Sequence, residues 1–168
     1  MIKLKFVYGI LPAIVRYTET MPKPWHGGFA KFCYVRIRSK YLKDNGILQH
    51  ELVHVKQFYR LFFALILVAF GLYLCNLQWP LIWFRVGCMT AAILAVPAHR
   101  LLSSNFAWYR LRIEVEAYKE QLKYYDSDSL ESFAEFFDRV ELFAEFLATR
   151  EYYKLDITKE EAIKLLMS

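Results

Sequence analysis

Hydrophobic positions crowd the middle of this chain. From Leu61 to Cys75 no side chain is charged or carries an amide, and Leu81 to Ala98 is apolar apart from Arg85 and Thr90. Asn76-Leu77-Gln78-Trp79-Pro80 between them reads as a turn. The pattern predicts a hairpin of two helices over residues 61–102, each about 19 residues long, since ~20 apolar residues span a bilayer's hydrocarbon core. Trp79 and Trp83 would mark its distal interface. Arg85, five residues past the turn, can snorkel outward.

On either side of this block the pattern changes period. Phe32 to Arg38 alternates, with Cys33, Val35 and Ile37 on one face and Phe32, Tyr34, Arg36 and Arg38 on the other, which predicts a strand with one wet face. Phe6 to Val15 is apolar behind Lys3 and Lys5, but Gly9, Pro12 and the following Arg16 make it a strand or interfacial segment and not a secretory signal. Met21 to Gly28 reads as a loop bearing Trp25 and His26. Arg110 to Gln121 has helix-forming composition without a breaker. Asp126-Ser127-Asp128-Ser129 supplies an N-cap for a helix to about Ala148, striped by Phe133, Phe137, Val140, Ala144 and Leu147 and widened by Phe136 and Phe143. Thr158-Lys159-Glu160-Glu161 is a capping box opening a last short helix. With no repeat, low-complexity tract or linker, the expectation is one α+β, mainly α domain over 1–168. It would contain a short antiparallel sheet, with the hydrophobic hairpin inserted between two polar helices.

Composition sharpens this picture. Hydrophobic residues make up 57% and aromatic residues 18% of the 168 positions, and mean hydropathy is +0.19, values that favour membrane contact. The net charge of +5 comes from basic residues that flank the hairpin, Lys56 and Arg60 before it and Arg100, Arg110 and Arg112 after it. That distribution suits anionic lipid and argues against a nucleic-acid partner. It also places both flanks on the cytoplasmic side. Cys33, Cys75 and Cys88 show no C-x-x-C spacing, so no disulfide framework is expected.

The chemistry concentrates in His50-Glu51-Leu52-Val53-His54. On a helix, residues i and i+4 share a face one turn apart, so both imidazoles can reach one cation, while Glu51 sits about 100° round as a general base for a water molecule. Asp44-Asn45-Gly46 supplies N-cap chemistry just upstream. A hydrolytic zinc site has three protein ligands, and no histidine follows within a dozen residues, so the third donor should be a carboxylate from a later helix. Glu114 and Glu116 are the candidates. They lie about 200° apart on a helix, so only one faces the metal, and if Glu114 does, Ala117, Tyr118 and Gln121 share its face.

These residues resemble the gluzincin metallopeptidases, and most nearly their membrane-bound branch, the CAAX prenyl proteases and the bacterial heat-shock membrane metalloprotease. In that branch the Glu ligand opens a pattern E-x-x-A-D. Glu114-Val115-Glu116-Ala117-Tyr118 matches the Glu and the Ala, with Tyr118 in place of the Asp. The resemblance covers residues 44 to 121. It implies a zincin-like fold with His50, His54 and Glu114 as Zn2+ ligands and Glu51 as the catalytic carboxylate. The implied activity is a zinc-dependent membrane endopeptidase acting on a protein or peptide substrate, in a bacterial inner membrane with its metal site on the cytoplasmic side. Gln57 at i+3 from His54 is a candidate for orienting that ligand, and Tyr118, His26 or Tyr109 for donating to the developing oxyanion. Phe32–Arg38 is positioned to pair with substrate backbone as an added strand. The alternative is a non-catalytic membrane or assembly protein on the same scaffold, which the Tyr118 departure favours.

Overall fold

A computed structural model describes residues 1–22, 26–75, 80–125, 130–149, 155 and 157–168. The expected turn at 76–79, the Asp126–Ser129 cap and Trp25 lie outside them. The chain begins with a hairpin, β1 (Ile2–Val7) and β2 (Leu11–Tyr17), followed by β3 (Gly28–Lys31) and β4 (Tyr34–Ile37). Tyr8 and Gly9 both have positive φ, 51° and 76°, and the Ile10 amide bonds back to the Val7 carbonyl at 3.3 Å. Two successive positive-φ residues give the turn whose twist matches that of a tight hairpin.

The sheet order is β1-β2-β4-β3, with β2 and β4 parallel and the other pairs antiparallel. This corrects the expected antiparallel sheet. Alternation reports which face of a strand is wet, not the direction of its neighbour, and the excursion between Tyr17 and Gly28 brings the β3–β4 hairpin back with β4 alongside β2. Gly28, expected in a loop, starts β3, and the Phe32–Cys33 turn, with Phe32 at φ 58°, separates β3 from β4.

The inner face of the sheet buries Ala13, Val15, Tyr17, Val35 and Ile37 against Leu48, Leu52 and Val55. Those last three belong to α1 (Asn45–Cys75), which joins the motif helix and the first hydrophobic segment into one rod. Asp44 caps it, its side-chain oxygen accepting from the Ile47 amide at 3.0 Å. At 1.5 Å per residue, α1 is about 46 Å long. Its buried residues all fall between Gly46 and Gln57, whereas none of its most apolar 18-residue window is buried. The first half is core and the second half projects.

α2 (Leu81–Asn105) returns along that projection, with Phe84 against Phe70 and Tyr73 at ring distances of 5.6 and 5.0 Å. Among the described residues, α1 is the one helix long and apolar enough to cross a membrane. Among the described residues α2 holds a shorter apolar stretch, Leu81–Ala95, with Arg85 inside it. α3 (Ala107–Leu122) packs on α1, and α4 (Leu130–Ala148) and α5 (Lys159–Met167) close a second core around Tyr118, Leu122, Val140, Phe143, Ala144 and Leu147. Thr158 and Glu161 cap α5 reciprocally. The α4 stripe is rotated from expectation: Phe143 is buried and Phe136 half-buried, while Phe137 is exposed.

Candidate metal centre

His50 and His54 stand one turn apart on the buried half of α1, and α3 brings Glu114 opposite them. His50 Nε2 and His54 Nε2 are 3.3 Å apart, and Glu114 Oε2 lies 3.7 Å from the first and 3.6 Å from the second. These three atoms form a nearly equilateral triangle. A cation at the ~2.0–2.1 Å of zinc–nitrogen and zinc–oxygen bonds reaches all three at once. Two imidazoles and one carboxylate are also the donor set of many catalytic zinc sites, so the residues present fit a divalent cation and suit zinc. Glu116 points elsewhere, accepting from Gln57 at 3.0 Å and pairing with Arg60.

Gln57 settles the state of His54. Its Nε2 donates to the Ile113 carbonyl at 2.9 Å and to Glu116 Oε2 at 3.0 Å, so its Oε1 must be the atom facing His54 Nδ1 at 2.9 Å. An amide oxygen only accepts, hence Nδ1 carries the proton and Nε2 is turned toward the metal position. One side chain thus aligns the ligand and ties α1 to α3.

Electrostatics separate the histidines in the metal-free site. Burial, with the neighbouring His54 charge, drives His50 down to about 3, against the opposing pull of Glu114 and Gln121. Burial would lower His54 too, but the Glu114 carboxylate beside it, helped by Glu51 and Gln57, raises it to about 9. One imidazole is neutral and the other holds a proton paired with Glu114. Glu51 is buried and not a corner of the triangle. Desolvation raises it to about 7, with Glu114 adding to that rise and His54 opposing it.

Glu51 packs directly on β3. A Cβ placed on Gly28 would lie 2.7 Å from Glu51 Cγ and 2.8 Å from its Cδ, closer than atoms can approach, so only glycine leaves room for this carboxylate. Gly28 is a site-lining position that the pattern did not single out, and the Gly27-Gly28 pair ahead of an alternating stretch was its signal. A cleft of about 280 Å³ opens beside Glu51 and His50, bordered by His26, Gly28, Tyr41, Tyr118, Gln121 and Phe143 among others. Tyr118 is buried with its ring 4.6 Å from both His50 and Phe143. His26 stacks on Phe29. Of the candidate oxyanion donors, Tyr118 and His26 therefore reach the cleft, while Tyr109, more than a turn before Glu114, does not line it.

β4 was expected to receive an added strand, but it is paired on both sides, by β2 and β3. Among the described residues, the sheet edge beside the site is that of β3, with no strand on its outer side. Because Arg38 N bonds to the Gly27 carbonyl, antiparallel alternation turns the backbone groups of Gly28 and Ala30 outward. No family model matches the chain, and no curated protein or solved structure matches it.

Proposed function

We propose that this chain is a membrane-associated zinc endopeptidase, with His50, His54 and Glu114 holding the metal and Glu51 moving the proton. The observation that carries the reading is the convergence of three ligand atoms from two helices beside a buried carboxylate at the mouth of an open cleft. A divalent cation held there supplies Lewis acidity, polarising a carbonyl and acidifying water. Everything else is the work of this chain's residues.

Glu51, buried beside the candidate ligands, is placed to take a proton from water and return it to the departing amine. The water oxygen bonds to the carbonyl carbon, the C–N bond breaks, and the proton ends on the new amine. Glu51 finishes as it began. The outward backbone groups of Gly28 and Ala30 hold an extended peptide by strand addition next to Glu51. Tyr118 and His26 border the same space and are the candidate donors to the carbonyl oxygen. The exposed apolar half of α1 supports the membrane setting, and the basic flanks favour the cytoplasmic face.

The test is Glu51→Gln in the full chain, assayed against a complex peptide library with new amino termini as the readout. Zinc content should be unchanged and cleavage should fall by ~10²–10⁴-fold, the range for a lost acid–base group. Cleavage by the variant at the wild-type rate would sink the peptidase reading and leave the non-catalytic scaffold in its place.

A further inference from the structure

The sheet exposes apolar side chains that the candidate site does not use, Ile2, Leu4 and Ile14 along its strands and a further group at the β1–β2 turn. Ile10 is 78% exposed, the most of any large hydrophobic residue described, and Phe6 and Tyr8 are each more than half exposed. Tyr8 sits in the left-handed region at the tip of the β1–β2 hairpin, a costly place for an aromatic residue. Its hydroxyl accepts from Arg60 Nε at 2.7 Å. On the next strand, the Tyr59 hydroxyl donates to the Pro12 carbonyl at 2.9 Å. The second turn of the sheet behaves alike: Phe32, also at positive φ, packs its ring 5.4 Å from Phe58, with the Lys31 ammonium over it.

Both turns therefore dock on Phe58, Tyr59 and Arg60, the last turn of α1 before its uncharged stretch begins at Leu61. Aromatic rings with lysine and arginine at such a boundary match the composition of a membrane–water interface. We propose that these two turns form a foot that rests in the interfacial layer of the bilayer, with Phe6, Tyr8 and Ile10 at the headgroup–acyl boundary and Lys31 and Arg60 at the phosphates. This rests on α1 crossing the membrane. The foot fixes the tilt of the sheet on the lipid. It holds His54, seven residues before Leu61, about 10 Å above the hydrocarbon, so the peptide bonds presented to the site are those of segments lying close to the membrane surface. A second copy of the chain on the β1 edge is the competing occupant. The coincidence of both turns with the start of the apolar stretch favours lipid.

The experiment places an environment-sensitive fluorophore at Ile10→Cys, Glu19→Cys or Val68→Cys, each in the full chain with Cys33→Ser, Cys75→Ala and Cys88→Ala. The proteins are reconstituted in nanodiscs containing anionic lipid and nitroxide-bearing lipids of shallow or deep label. The proposal expects the label at position 10 to lose emission to the shallow nitroxide while position 19 stays bright and position 68 responds to the deep one. Quenching at 68 with position 10 behaving like 19 would overturn the foot and leave the membrane reading standing. No quenching at 68 would overturn both. A label at 10 shielded from aqueous iodide yet untouched by either lipid would assign the surface to a second chain and overturn the lipid foot.

Discussion

Gln57 shows how one side chain can set the tautomer of a candidate metal ligand. Its amide hydrogens are committed to Ile113 and Glu116, which leaves the oxygen for His54 Nδ1 and the other ring nitrogen for a cation. In the metal-free protein the Glu114 carboxylate also keeps His54 protonated up to about pH 9, so a metal must displace that proton near neutrality. At about pH 7.5, zinc binding should release about one proton per chain, and apparent affinity should climb with pH and level off above about 9. Titration calorimetry in two buffers of different ionisation enthalpy counts that proton, and a value near zero would contradict the assignment. The two histidines and Glu51 were legible in the sequence because a helix fixes their spacing locally. The choice between Glu114 and Glu116 was not, because it depends on how α3 is rotated against α1. Gln57 was suspected from its i+3 position, but its partners Ile113 and Glu116 lie across the fold, where no periodicity can reveal them.

Among the elements, β3 is the one that the pattern concealed. A four-residue strand beginning with glycine gives almost no alternation to read, yet it supplies the sheet edge beside the site and the gap into which Glu51 packs. Gly28→Ala should push the Glu51 side chain from its place without touching a ligand. Hydrolysis should fall on the order of 10²-fold, as misplacement by about 1 Å can produce, with zinc content unchanged. Wild-type cleavage by this variant would mean that Glu51 does not need the contact. The helices were easier to foresee. Asp44 caps α1 and Thr158 caps α5, both signals being local. On α4 the exposed Phe137 and half-buried Phe136 exchange their expected places, because two adjacent phenylalanines lie only 100° apart on a helix. Tertiary packing chose between them.

At the scale of the whole molecule, α1 divides the chain into two environments. Its first half is core for the sheet and carries the histidines, and its second half buries nothing in the most apolar window. The division was visible in the sequence as a loss of charge at Leu61. So was the interruption of the following apolar helix by Arg85, which lies inside Leu81–Ala95. The helix that carries the candidate ligands continues into the apolar half, so the candidate site stands at a fixed distance from that half. All of this depends on a metal being bound where His50, His54 and Glu114 meet. The most direct test is zinc per chain by plasma mass spectrometry on the purified full-length protein beside Glu114→Ala and Glu116→Ala. About one zinc in the wild type and in Glu116→Ala, lost in Glu114→Ala, is the predicted result. A wild type that takes up no zinc after supplementation, or a Glu114→Ala protein that keeps it as firmly as the wild type, would contradict the account.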